Sequence, residues 1–155
     1  MFRIVLEFVG LFLAGLLAGE EVVVRYGVRG PLAKLDDRSH IRLRQGLIRT
    51  LRVLVPAIAM PTFVVGVIVA VVDSGADGVA VRWAAVAALL VWMLATFFGT
   101  VPINAAALGW SPEAPPADWK ARVDRWERLN TVRAWSALVA FACFLAAAAI
   151  RLYAS

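Results

Sequence analysis

Four apolar stretches, each long enough to cross a lipid bilayer as a helix, restrict the folds open to this chain. They are residues 4–24, 53–72, 83–108 and 134–150, and the last three contain no charged residue. About 20 helical residues cross the ~30 Å hydrocarbon core of a bilayer. In lipid every backbone polar group needs a partner, which a helix supplies by itself. The sequence therefore predicts an all-α protein, a bundle of four transmembrane helices in a single domain over residues 1–155.

The composition excludes a water-soluble globular domain. Hydrophobic residues make up 62% of the chain, charged residues only 17%, and the mean hydropathy is +0.79, whereas soluble domains are near half apolar and a quarter charged. The single cysteine, Cys143, excludes an intrachain disulfide and is interpreted as a small buried hydrophobe. The net charge of +5 arises from residues that flank the apolar stretches. We therefore expect membrane lipids, and not nucleic acid, as partners.

The distribution of basic residues predicts the orientation of the bundle. The connections 25–52 and 109–133 contain all 16 lysines and arginines except Arg3, Arg82 and Arg151. Because positively charged connections stay in the cytoplasm, we expect both connections there and both termini on the outer side. Glu7 interrupts the first apolar stretch and no signal-peptide cleavage site follows it, so this stretch is interpreted as a membrane span.

The connection before the second span predicts an amphipathic helix that runs directly into that span. At 100° per residue, polar side chains form one stripe and leucines form the opposite face. The stripe holds Arg38, Arg42, Gln45, Arg49 and Arg52, and the leucine face holds Leu43, Leu47, Leu51 and Leu54. The stripe suits lipid phosphates, and Asp36-Asp37 suits the helix N-terminus. His40 lies on the leucine face with Arg44 at its edge, so we expect both to point inward.

Polar residues of the third and fourth spans share helix faces and predict a polar pocket at the cytoplasmic end. Thr96, Thr100 and Asn104 recur every four residues, and Trp119, Arg122, Trp126, Asn130 and Arg133 fall within about 80° of arc. Polar groups avoid lipid, so both faces should point into the bundle. Arg133 needs an acidic partner, for which Glu20 and Glu21 lie at the right depth. Glu127 is assigned to the opposite, solvated face.

Several of these features also have a purely structural interpretation. His40 is either a hydrogen-bonded residue near a helix start or a proton-transfer group. The threonines and Asn104 are suited to hydrogen bonds between helices. Gly15 and Gly19 form a GxxxG motif, which packs helices either within the bundle or between copies of a homo-oligomer.

A set of short motifs resembles one family of membrane proteins. They are Val101-Pro102-Ile103-Asn104, Trp110, Pro116-Ala117-Asp118-Trp119, Arg125-Trp126 and Asn130 to Arg133, preceded by Ala18-Gly19-Glu20 and His40. Together they resemble the DUF1772 family, also called anthrone-oxygenase-like, along essentially the whole chain. The resemblance implies a four-span bundle and, for some members, oxidation of anthrones to anthraquinones without an obvious metal or flavin. Glu21 stands where many members have an apolar or aromatic residue, and the segment 25–39 resembles a bacterial subtype, located in the inner membrane, rather than the polyketide enzymes. This departure argues against an anthrone as the substrate but not against the fold.

On this resemblance we expect an oxygenase or other oxidoreductase with its site at the cytoplasmic interface. The catalytic candidates are His40, Glu20, Arg133 and Asn104, and the substrate-binding candidates are Trp119, Arg122, Trp126, Asn130, Arg44, Glu21 and Thr100. The substrate is expected to be lipophilic and aromatic or quinol-like. His40 or Glu20 would take a proton, and Arg133 with Asn104 would stabilise the resulting oxyanion, which reacts with dioxygen. No cofactor is expected.

Two other functional classes stay open. The same pocket suits a non-catalytic lipid-, quinone- or haem-binding membrane protein, or a small subunit of a membrane complex. One histidine and no cysteine cluster give little support to a haem or metal site, although Asp36, Asp37 and His40 with Glu20 or Glu21 would be rich in carboxylates. A transporter is disfavoured because the chain has neither an internal repeat nor a charge pair at the midplane of the bilayer.

Overall fold

The structure, a computed structural model, describes residues 2–75 and 77–154, and most of this chain is helical. The elements are α1 (Phe2–Val22), a π-helical segment (Val23–Val28), α2 (Arg29–Ala33), α3 (Asp37–Val72), α4 (Val79–Ala95), a second π-helical segment (Thr96–Thr100), α5 (Val101–Leu108) and α6 (Trp119–Ala154). Within the described residues, four continuous helical stretches are long and apolar enough to cross a membrane. The all-α prediction is confirmed, and the chain is an integral membrane protein.

The amphipathic segment and the second span are one helix, as predicted. Asp36 precedes α3 with extended backbone angles, and its Oδ1 accepts a hydrogen bond from the Ser39 backbone N–H at 3.0 Å. This N-cap bond holds the pKa of the Asp36 carboxyl below its usual value. α3 continues past Pro56 and Pro61 to Val72. The basic amphipathic segment is therefore joined rigidly to the membrane span.

The four spans close into a ring around an apolar core. α1 lies between α3 and α6, and α4 packs on α6 and α3. α6 contributes a row of small side chains, Ala134, Ala137, Ala140 and Ala147, each at most 1% exposed. Small residues let helix backbones approach closely where lipid provides no hydrophobic force between helices. Gly15 serves the same purpose on α1, because a Cβ there would lie 3.3 Å from the Phe141 ring.

The predicted facing of α3 is wrong at several positions. Gln45, placed on the lipid-facing stripe, is buried, and its Nε2 donates to the carbonyls of Ala107 and Trp110, both at 2.9 Å. Leu43 and Leu54 are each 47% exposed. An exposed leucine within a membrane faces acyl chains at no cost, so an apolar face does not identify the interior of the bundle.

Candidate functional site

A cavity of about 730 Å³ opens at the end of the bundle where α1 finishes and α3 and α6 begin, which we call the basic end. Its walls come from the C-terminal part of α1 and the following π-helical segment, from α3, and from α4 to α5, with α6 at the back. Apolar side chains such as Val24, Leu51, Val55 and Met93 form most of the lining. The volume lies in the range of small-molecule sites in proteins.

Several of the predicted site residues meet at this cavity. Those that line it are Glu20, Arg44, Thr100, Asn104, Trp126 and Arg133. They come from all four membrane-spanning stretches, so only the folded bundle brings them together. Thr96, Thr100 and Asn104, the predicted inward face of the third span, all line the cavity. The hydroxyls of Thr96 and Thr100 donate to carbonyls of their own helix and not to another helix.

Arg133 is paired with Glu21, one of the two carboxylates expected for it. Arg133 Nη2 donates to Glu21 Oε1 at 2.5 Å, and Trp92 Nε1 donates to the same oxygen at 2.7 Å. Arg133 Nη1 lies 3.4 Å from Thr100 Oγ1, and its guanidinium carbon lies 5.0 Å from the centre of the Trp92 ring. Glu21 is 0% exposed. This cluster ties α1, α4 and α6 together directly behind the cavity.

Six residues of the cavity wall have a buried polar side-chain atom without a hydrogen-bond partner among the described residues: Glu20, Arg44, Asn104, Trp126, Glu127 and Arg133. Three of these atoms are Glu20 Oε2, Asn104 Oδ1 and Arg133 Nε. Buried polar atoms are almost always hydrogen-bonded in folded proteins. A carboxylate oxygen, an amide oxygen and a guanidinium N–H at one cavity are therefore available for hydrogen bonds to a polar ligand.

A second charged cluster lies beside this one and centres on Glu127. Arg25, Arg29 and Arg44 approach its carboxylate at 3.8, 3.3 and 3.7 Å, respectively. Arg44 is 4% exposed, and its guanidinium carbon lies 4.8 Å from the centre of the Trp126 ring. The expectation that Arg44 points inward is confirmed. The assignment of Glu127 to a solvated face is wrong, since it is only 9% exposed and lines the cavity.

The structure separates the remaining predicted residues from the cavity. His40 packs against Trp119 of a neighbouring apolar cluster, with ring centres 5.3 Å apart, and does not line the cavity. Arg122 is exposed and pairs with Asp118 at 2.8 Å, so its predicted inward facing is wrong. Asn130 is 0% exposed and does not line the cavity.

Two residues with a clear part in the site were missed from the sequence. Trp92 sits in an uncharged apolar run, where its indole N–H was a usable signal because a buried tryptophan normally finds an acceptor. Glu127 lies among other charged residues of α6, and its i, i+4 neighbours there suggested surface pairs. The side chains that actually hold it come from the first connection and from α3.

The far end of the bundle holds a different charged cluster, whose arginines, Arg82 and Arg151, entered the sequence-based prediction only through the orientation of the bundle. Arg82 is 0% exposed and lies 3.6 Å from Glu7 and 3.9 Å from Asp73. Arg151 contacts the same two carboxylates at 2.9 and 3.4 Å. Glu7 and Glu21 are separated along one helix by about 21 Å at 1.5 Å per residue, so this cluster is remote from the cavity. It joins the ends of α1, α3, α4 and α6.

The side-chain chemistry of the described residues does not assemble a metal centre: in residues 2–75 and 77–154, no three His, Cys, Asp or Glu side chains lie together. A family model described as Anthrone oxygenase matches residues 47–143. The matched segment contains Asn104, Trp126 and Arg133. It begins at residue 47 and therefore does not include Glu20. No curated protein and no solved structure matches the chain.

Proposed function

The chain belongs to the anthrone oxygenase family, and on this premise we propose that it oxidises a lipophilic aromatic or quinol-like molecule in the cavity at the basic end. The proposed chemistry uses side chains of this chain and dioxygen, without a resident cofactor. The observation that carries the proposal is the cavity itself, whose apolar walls end at Glu20, Asn104 and Arg133. An apolar pocket with a few convergent polar groups is the usual form of a small-molecule site.

Glu20 is the proposed general base. It lines the cavity with a free carboxylate oxygen, whereas His40 packs against Trp119 outside the cavity. Arg133 offers its unsatisfied N–H to the oxygen on which negative charge develops, and its pairing with Glu21 holds it in position. Asn104 presents an acceptor oxygen for a substrate hydroxyl.

The proposed reaction converts a methylene group between two aromatic rings into a carbonyl group, with dioxygen as the oxidant. Its atoms and electrons balance. The Glu20 carboxylate removes one proton, and the electron pair stays on the substrate as a carbanion delocalised onto the ring oxygen. The carbanion carbon forms a bond to dioxygen and, after protonation of the outer oxygen, gives a hydroperoxide; removal of the second methylene proton then breaks the O–O bond. One oxygen atom becomes the new carbonyl, and the other leaves as water together with the two methylene hydrogens. The substrate loses four electrons, and dioxygen accepts them.

Substrate access is proposed to occur sideways from the bilayer. The rim of the cavity includes Val23, Leu54, Phe97 and Val101, which are 45% to 61% exposed and apolar. Such side chains face acyl chains in a membrane, so a lipophilic molecule can reach the cavity without crossing water. We also propose that the basic end faces the cytoplasm of a bacterial inner membrane, since most basic residues lie in its two connections.

The test uses the purified protein in phosphatidylcholine nanodiscs with 1,8-dihydroxyanthrone as probe substrate, and follows quinone absorbance and oxygen uptake. Empty nanodiscs give the uncatalysed rate. Glu20→Gln should lower kcat by about 100-fold or more with little change in KM, the contribution expected of a general base. Arg42→Gln, an exposed change outside the cavity, should leave kcat intact. Full activity in Glu20→Gln, or a loss confined to His40→Ala, would refute the proposed base.

A non-catalytic binding protein for the same class of molecule is the second candidate. The clustering of three arginines around one glutamate favours this function, because such a cluster can bind an anionic group of a ligand but does not itself supply a group for catalysis. Saturable binding of the probe without oxygen uptake above empty nanodiscs would identify this function.

A further inference from the structure

The Glu127 cluster carries more positive charge than its single carboxylate can neutralise. Three guanidinium groups, from Arg25, Arg29 and Arg44, lie between 3.3 and 3.8 Å from this carboxylate. The charged residues of the cavity wall are four arginines (Arg29, Arg44, Arg52 and Arg133) and two glutamates (Glu20 and Glu127), and the arginines remain in excess by one when Glu21, the partner of Arg133, is included. In a low-dielectric site such an excess calls for an added anion.

Arg44 shows the imbalance most clearly. Its side chain is 5% exposed, and its Nε has no hydrogen-bond partner among the described side chains and backbone. Its guanidinium carbon lies over the Trp126 ring, and its Nη2 lies 3.7 Å from Glu127 Oε1, so Nε is the donor that stays available. A planar guanidinium stacked on an aromatic ring is well suited to bind a carboxylate or phosphate with two donors.

The basic stripe of α3 provides a contrast. Arg38 and Arg42 are exposed and share Glu113 at 2.9 and 2.8 Å. These arginines are already paired and lie away from the cavity wall, as expected of residues that face water or lipid headgroups. The Glu127 cluster differs because the side chains of Glu127, Arg25 and Arg44 are only 11%, 15% and 5% exposed and because Glu127, Arg29 and Arg44 line an apolar cavity.

We propose that the ligand of this cavity is an amphipathic acid, whose carboxylate or phosphate binds among Arg29, Arg44 and Arg25 while its apolar body fills the cavity. The inference rests on the proposed function in taking the cavity as the substrate site, and it adds the charge of the substrate. When no ligand is bound, the Glu127 carboxylate pairs with these arginines. It therefore competes with the acidic group of the ligand for them.

The experiment compares two fluorescent probes of equal shape, anthracene-9-carboxylate and anthracene-9-carboxamide, bound to the protein in phosphatidylcholine nanodiscs. The measured quantity is the ratio of their affinities, so that partition into lipid cancels between variants. Arg29→Gln should lower the carboxylate preference about threefold, the effect of one partly exposed charge pair. Glu127→Gln should raise it about tenfold by removing the competing carboxylate. Arg42→Gln, with the same change of charge as Arg29→Gln, should leave it unaltered.

A purely structural cluster predicts a different result, since loss of an ion pair would weaken both probes alike. An equal probe ratio in wild type, Arg29→Gln and Glu127→Gln would overturn the inference. Adding phosphatidylglycerol to the nanodiscs distinguishes a lipid headgroup from a soluble acid as the source of the anion. If the natural ligand is a lipid, phosphatidylglycerol should weaken carboxylate binding more in wild type than in Arg29→Gln. If it is a soluble acid, phosphatidylglycerol should affect wild type and Arg29→Gln equally. Because binding is measured without turnover, failure of the oxygenase proposal would not change this readout.

Discussion

The buried pair of Glu21 and Arg133 gives the sharpest test of how the site is held together. Glu21→Gln keeps an acceptor oxygen for the Trp92 N–H but removes the charge opposite Arg133. The two side chains are 0% and 8% exposed, so solvent cannot replace the lost partner. Breaking one side of a buried ion pair costs about 3–5 kcal/mol in the free energy of unfolding. Glu20 is close enough to offset part of this loss, so we expect a cost of about 3 kcal/mol.

The pairwise contribution follows from a double-mutant cycle with Arg133→Met. The double variant contains no charge at this pair, and the amide oxygen introduced by Glu21→Gln is still available to the Trp92 N–H. We therefore expect it to be more stable than the sum of the single losses by about 2–3 kcal/mol. Stability is measured by tryptophan fluorescence during SDS titration in mixed micelles.

The matched control is the exposed pair of Asp118 and Arg122, whose side chains are 55% and 45% exposed. Asp118→Asn should cost about 0.5 kcal/mol or less, because exposed i, i+4 pairs contribute little. If Glu21→Gln costs no more than Asp118→Asn, or if the double variant loses the full sum, the cluster behind the cavity is not the ion pair described here.

Two further changes test the packing of the bundle by the same SDS titration. Arg82→Gln at the far end should lower the unfolding free energy by about 3 kcal/mol, because it removes the fully buried partner of Glu7 and Asp73 and leaves them with the more exposed Arg151; an effect below that of Asp118→Asn would contradict this. Gly66→Ala should cost about 1–3 kcal/mol, since its Cβ would lie 2.8 Å from Phe144 Cζ in the core. Gly46→Ala, with open space within 4 Å among the described atoms, should instead be neutral or slightly stabilising, and equal effects of the two glycine changes would refute the packing argument.

The fold could be predicted from the sequence because the membrane leaves few alternatives. An uncharged run such as 83–108 must be helical in lipid, and a polar group such as Arg133 must find a partner. The same reasoning correctly limited that partner to Glu20 or Glu21. Chain length and hydropathy were therefore enough to predict the architecture. The depth of the charged residues in the membrane was enough to predict part of the site.

The facing of individual side chains could not be predicted in the same way. In a bilayer both the lipid-facing and the core-facing sides of a helix are apolar, so the leucines of α3 did not mark its interior. The segments Val23–Val28 and Thr96–Thr100 are π-helical and interrupt the 100° spacing on which helical facing depends. Glu127 was misplaced because its partners, among them Arg44, come from distant parts of the chain.

The central claim is that this chain uses dioxygen to oxidise a lipophilic substrate in the cavity at the basic end. The most direct measurement is turnover of 1,8-dihydroxyanthrone under ¹⁸O₂ in ordinary water, with the product analysed by mass spectrometry. We expect the new carbonyl to carry one ¹⁸O atom and Glu20→Gln to form this product no faster than empty nanodiscs. A carbonyl oxygen derived from water, or labelled product formed at the wild-type rate by Glu20→Gln, would contradict this claim.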